Sequence, residues 1–270
     1  GTKTMTSTPM ELYQSGEIDE AVEASLALVK ESPADVGLRF QLAELSCIAG
    51  NLDRADRQLD TVTNQDAQAA VGAALLRQLI RAELSRRECF FKGRVPEFLG
   101  EPSDLLKEYL QALTAFREGD VASAVSAISE LEPGKLASPL SVNGREVSEL
   151  RDLDDLLAPV LEVHTSTGKY FWVDWNQILS LQVHEPKRPF DLLWRQASLS
   201  IESGPDGDVY LPATYIALAE DTPGDASLRL GRSTDWVDQQ GIVRGCGQKV
   251  LLVGEEDMPI MELQSIEREG

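Results

Sequence analysis

Histidine is nearly absent from this chain. Only His164 and His184 occur in 270 residues, both at expected strand ends. No His-x-x-x-His pair exists, which excludes a zincin, and no Gly-x-Ser-x-Gly elbow offers a serine nucleophile. Without a positioned partner, neither imidazole reads as a general base. Cysteine is also sparse. Cys47, Cys89 and Cys246 are scattered, odd in number and never at zinc-ligand spacing. Cys47 lies in the apolar run Leu45-Ser46-Cys47-Ile48 and reads as a buried thiol. The Gly-rich stretch from Gly241 to Gly247 lacks the Gly-Lys-Ser/Thr of a phosphate loop. It is expected to be a turn feeding a strand at Lys249. Positive charge is short: 25 Lys and Arg stand against 45 Asp and Glu, a net charge of -20. That balance argues against nucleic acid, whose phosphates need clustered cations, and against anionic membranes. It suits a basic or apolar partner, or plain solubility. No apolar run is long enough to span a bilayer, and the opening residues show no apolar leader. Membrane insertion is therefore not expected, and a cytoplasmic location is.

What the chain does have is a repeat. Gly16 and Ala21, Gly50 and Ala55, and Gly119 and Ala124 are each five apart. The first two glycines lie 34 residues apart, the period of tetratricopeptide helix pairs, and the third follows after about two more periods. Such units stack into a superhelix with a concave face that binds a peptide or helix. Residues 9–63 read as two helical hairpins, 66–88 as a long Ala-rich helix, and Ser103 as the cap of a helix over 104–117. Glu132-Pro133-Gly134 stops the last unit.

Beyond this point the texture changes. Asn143-Gly144 between short extended arms predicts a hairpin. Residues 151–157 read as a short helix. Strands are expected at 160–164, 170–175, 179–184, 197–202, 209–211 and 249–253, and strand or short helix at 258–266. Trp172, Trp175 and Trp194 are expected to anchor this second core. The fold class is α+β, with a tetratricopeptide-like helical domain over residues 1–135 and a β-rich α+β domain over 136–270.

The ordered motifs of the second half resemble those of the ImpE family, also called TagJ- or SciE-type proteins. They are Asn143-Gly144, Arg151-Asp152-Leu153-Asp154-Asp155, Gly168-Lys169-Tyr170-Phe171-Trp172-Val173, the run from Pro186 to Arg195 that contains Arg188 and Trp194, Gly204-Pro205-Asp206-Gly207, and Arg229-Leu230-Gly231-Arg232-Ser233-Thr234-Asp235-Trp236. Family members often have Val-Pro after the strand aromatics; here Asp174-Trp175 follows Val173. The resemblance implies a non-enzymatic, cytoplasmic accessory protein of a bacterial type VI secretion system. Its implied partner is the small contractile-sheath subunit, bound through a helical segment, with a bearing on sheath assembly or disassembly. No cofactor is implied.

Tetratricopeptide geometry places Gly37, Phe40, Glu44, Cys47 and Ile48 on the concave side. There a partner helix would rest on Phe40 and Ile48, with Glu44 meeting a basic residue at the rim. The alternative is that Phe40 and Ile48 are inter-repeat core. Asp154 and Asp155, adjacent on a helix, would point about 100° apart, which favours capping and ion pairs over a metal. Arg188, Arg195, Arg229 and Arg232 are expected to pair with such acids across the second domain, or else to form an anion site. Two other readings stay open: a small-ligand or enzymatic pocket where Arg195, Arg232 and Asp235 converge near Trp236, and a general tetratricopeptide scaffold.

Overall fold

The structure, a computed structural model, describes residues 6–216 and 225–270. Residues 1–5, half of the stretch scanned for a leader, lie outside it. Seven helices come first: α1 (Pro9–Gln14), α2 (Ile18–Glu31), α3 (Val36–Ile48), α4 (Leu52–Gln65), α5 (Ala70–Phe91), α6 (Asp104–Arg117) and α7 (Val121–Ile128). Polar side chains cap five of them. Thr8 and Glu11 form a capping box, and Asp35, Asn51, Ser103 and Asp120 each accept an amide of the first turn.

The Gly–Ala motif has a mechanical explanation. Gly16, Gly50 and Gly119 adopt φ of 92°, 89° and 84°, and each ends the first helix of a hairpin. At each, paired amides return to that helix: Gly16 to Tyr13 and Glu17 to Leu12, Gly50 to Cys47 and Asn51 to Ser46, Gly119 to Phe116 and Asp120 to Ala115. These are Schellman closures, which need a left-handed residue. Five residues on, Ala21, Ala55 and Ala124 are fully buried, so only a methyl separates the paired helices.

Strands follow: β1 (Lys135–Val142), β2 (Arg145–Asp152), β3 (Val160–Thr165), β4 (Tyr170–Asp174), β5 (Ile178–Val183), β6 (Trp194–Ile201) and β7 (Gly207–Pro212). After the short helix α8 (Ala226–Arg229) come β8 (Thr234–Gln239), β9 (Ile242–Gly247), β10 (Val250–Val253), β11 (Glu256–Pro259) and β12 (Ser265–Arg268). Ten form one sheet, ordered β11-β10-β2-β1-β12-β5-β6-β7-β3-β4, and β8 pairs with β9 apart from it. The Asn143-Gly144 hairpin forms with φ of 49° and 79°, and the Asn143 carboxamide also ties down the amides of Gln264 and Ser265.

Two expectations need correction. Residues 151–157 are not a helix: Arg151 and Asp152 finish β2, paired with Leu252 and Leu251. The Asp152 and Asp154 carboxylates then accept the amides of Asp154 and Leu156, local turns that compete with helix. The Gly241–Gly247 stretch is a strand rather than a turn; the turn is Gln240-Gly241 alone. Asp155 and Asp154 accept the amides of Val243 and Gly245, and a Cβ at Gly245 would strike the Tyr215 ring.

Helices and sheet share their cores. The first half of α5 and helices α3 and α4 enclose Phe190, Trp194 and Tyr210. The second half of α5, with α6 and α7, packs on Leu156, Val160, Tyr170, Trp172 and Ile242. Trp175 alone of the three clustered tryptophans belongs to the core held by the sheet. The other two lie at the helix–sheet junction, which corrects the expectation of one tryptophan-anchored second core.

Candidate docking clefts and the buried charges beneath them

Between α3 and the start of α5 lies a cleft of about 620 Å³. Met10, Val36, Gly37, Phe40, Gln41, Glu44, Asp66, Gln68, Ala69, Gly72 and Pro189 line it. Gly37 and Gly72 sit in the first turns of the two helices, where Ala would be more favourable by about 1 kcal/mol. A Cβ at Gly72 would touch Phe40 Cε2 at 3.9 Å, so its absence leaves the Phe40 ring open to the cleft. Val71, on the same turn of α5, is 79% exposed.

Three of the five residues expected on the concave side are here: Gly37, Phe40 and Glu44. Cys47 and Ile48 are not; both are buried, Cys47 against α4 and α5 and Ile48 against α1 and α2. For Ile48 the reason is inter-repeat packing on α1 and α2; for Cys47 it is that the sheet half enters the hollow. A 3-10 turn, Pro189–Leu192, packs on α3 and drives Phe190 into the core beside Cys47. Glu44 is not at the rim. It is 8% exposed, and its Oε2 accepts the Phe190 amide at 3.2 Å. Burial pushes its carboxyl up to about 7, against the pull of the Phe190 amide and Arg188. Burial also raises the Cys47 thiol, which keeps it protonated.

The charged motifs serve the junction. Arg244 Nε meets Asp154 Oδ2 at 2.8 Å, and Arg151 meets Asp155 at 3.2 Å. Asp152 accepts the Tyr215 hydroxyl at 2.7 Å and faces Lys249 Nζ at 3.1 Å. Lys249 also pairs with Glu162, which takes a bidentate grip from Arg86 of α5 at 2.7 and 3.0 Å. Glu83 completes the seam, accepting from Arg86 and meeting His164 Nε2 at 2.7 Å. Burial would raise Glu83, but Arg86 and His164 hold it down at about 2. In Glu162 too the cations, Arg86 first and then Lys249, outweigh burial and lower the pKa. Arg86, Glu162, Lys249, Glu83 and His164 were not anticipated. Their signal was in the pattern: Glu83 and Arg86 continue the core stripe Leu76, Leu79 and Ile80 of α5.

The four arginines do not pair with the acids of the 151–155 motif. Arg188 pairs with Asp191 at 3.2 Å, and Arg195 donates to the carbonyls of Ile260 and Leu263. Arg229 reaches back to Asp19 of α2 at 2.7 Å, and Arg232 to the carbonyls of Tyr13 and Gln14 at the end of α1. The long guanidinium arms thus staple the loop after α8 to the first helices. No hydrogen bond or ion pair joins Arg195, Arg232 and Asp235: the two arginines spend donors on the carbonyls just named, and Asp235 accepts the adjacent Trp236 amide. Trp236 lies on β8, 38% exposed, edge-on to Tyr215. Trp194 is buried beside His164. His184 Nε2 meets Ser198 Oγ at 2.9 Å, and Ser198 turns its hydroxyl to Asp208 at 3.0 Å.

This geometry can be set beside known proteins. A TagJ from Pseudomonas aeruginosa, described as a type VI secretion system accessory component, is 31% identical over 96% of this chain and 90% of its own length. A family model described as ImpE protein matches residues 144–267, from the β1–β2 turn to β12. The chain belongs to the ImpE family. A tetratricopeptide-repeat model matches residues 12–79. The first cleft falls largely within the repeat match, and the arginine staples within the ImpE match. A crystal structure of a Vibrio parahaemolyticus protein superposes with a TM-score of 0.88 at 28% identity, covering 97% of each chain. That solved protein therefore shares this helical array joined to this sheet. Among the described residues, no helix is long and apolar enough to cross a membrane.

Proposed function

We propose that this chain is a non-enzymatic, cytoplasmic accessory protein of a type VI secretion system. Its α3–α5 cleft takes the apolar stripe of a helix from the small contractile-sheath subunit and thereby modulates sheath assembly or disassembly. The observation that carries the reading is the cleft itself. The chain's own Phe190 fills the deeper part of the hollow, yet Gly37, Gly72 and the face of Phe40 are left uncovered beside exposed Val71. Helix-in-groove docking needs an apolar floor of that kind with room for alternate side chains. Family membership and the description of the Pseudomonas relative support the secretion context.

Gly72→Leu tests this more cleanly than Phe40→Asp, because Phe40 also packs on the α3–α5 core and its loss costs stability. A leucine at 72 fills the cleft from its own wall. Capture of the small sheath subunit encoded in the same genome is expected to fall below a tenth of wild type, with the melting temperature not lowered. Wild-type capture by both variants would remove the cleft from the interaction.

A further inference from the structure

A second cleft, of about 670 Å³, opens on the other side of Met10 and Pro189. Its walls are the end of α1, the 186–189 segment, residues 230–232 and Met261. Among the described residues its lining holds three cations, Lys187, Arg188 and Arg232, and no carboxylate. That is unusual in a chain with 45 acidic side chains to 25 basic ones.

The three cations are only partly compensated. Arg188 pairs with Asp191, which sits behind it. Arg232 spends its donors on the Tyr13 and Gln14 carbonyls at 2.8 and 3.0 Å and lies 5.2 Å over the Tyr13 ring, so its charge meets backbone dipoles and a π face rather than an anion. Lys187 is exposed. Between the cations the surface is apolar, with Met10, Leu192, Leu230 and Met261, and Leu192 is 37% exposed. A net charge of -20 repels acidic chains from most of this surface, and a concave wall of cations focuses the opposite field at one place. Carboxylates between apolar residues complement such a wall, and complementarity of this sort sets specificity and register.

We propose that this cleft is a second protein-docking site, taking an acidic segment of a partner in which carboxylates alternate with apolar side chains. The carboxylates meet Lys187, Arg188 and Arg232, and the apolar groups meet Met10, Leu192, Leu230 and Met261. This site stands whether or not the α3–α5 cleft holds a sheath helix.

The test is a selection of displayed random peptides on the full chain, counter-selected against the double variant Lys187→Glu/Leu192→Asp. Both replaced side chains are solvent-exposed and outside the core, and a melting curve confirms the fold. Expected survivors are acidic peptides with interspersed apolar residues. Measured by fluorescence anisotropy, they weaken about tenfold or more on the double variant and lose affinity steeply with added salt. Gly72→Leu leaves them unchanged, which separates this site from the first cleft. Four results would overturn the proposal: no enrichment, survivors that are neutral or basic, equal binding to the double variant, and displacement by millimolar inorganic phosphate, which would mark a simple anion site. A wild-type dimer dissociated by the double variant in sedimentation would make a second copy of the chain the occupant instead, and would also refute it.

Discussion

Glu44→Gln isolates the energetic cost of placing a carboxylate between α3 and the Pro189 turn. Burial raises the Glu44 carboxyl from an ordinary 4.5 to about 7, only partly offset by the Phe190 amide and Arg188. The folded state therefore holds this proton more tightly than the unfolded chain. Its contribution to stability is complete below about pH 4.5 and is lost as pH rises through 7. At about 1.4 kcal/mol per unit the full swing is roughly 3 kcal/mol, and partial solvation from the cleft reduces it to roughly 1–3. Glutamine keeps the shape, and its carbonyl still accepts the Phe190 amide, but it never ionises. Urea unfolding followed by tryptophan fluorescence should show the variant more stable at pH 8 than at pH 4, relative to wild type, by roughly 1–3 kcal/mol, most of the change falling between pH 4.5 and 7. Asp152, whose carboxyl burial also raises, is common to both proteins and cancels in the difference. Parallel stability curves across this range, or a relative stability that falls toward pH 8, would refute the burial argument.

Arg86→Leu should cost roughly 3–5 kcal/mol, because it removes the main cation from buried Glu162 and Glu83 and leaves them only Lys249 and His164. The double variant Arg86→Leu/Glu162→Leu should recover part of that loss in the same urea titration. Gly50→Ala should destabilise by about 1–2 kcal/mol through its left-handed backbone alone, since no atom lies within 3.8 Å of the new methyl. Gly72→Ala, in a helical conformation, should by contrast raise the melting temperature slightly. Arg229→Ala breaks a pair whose Asp19 is mostly exposed, and calorimetry should register no more than about 1 kcal/mol.

Local chemistry made much of this fold readable. Gly16, Gly50 and Gly119 announced the hairpin closures because a positive φ is costly for other residues, and Asn143-Gly144 announced its turn for the same reason. Periodicity located α2 to α5 and most strands. What could not be read was long-range partnership. The stretch 151–155 looked helical because its acids suit a helix start, but those acids serve amides and Arg244 of β9 and Lys249 just after it, about 90 residues away. The concave face was read from repeat geometry alone, and nothing near Cys47 or Ile48 signals that Phe190 will cover it. Of the four arginines expected to pair with acids, Arg188 and Arg229 do so, but with Asp191 and with Asp19, some 210 residues earlier, while Arg195 and Arg232 take backbone carbonyls. Glu162, an acid flanked by Leu161 and Val163 in an apolar strand, was the most legible clue that went unread.

The Phe190 plug has a practical corollary for dissection. Expressing the helices without the sheet would take Phe190, Trp194 and Tyr210 out of the core they share with α3, α4 and α5 and expose there an apolar surface that the intact molecule keeps sealed. Bait made from such a fragment would gather chaperones and stray amphipathic peptides, so interaction maps of this family belong to full-length chains.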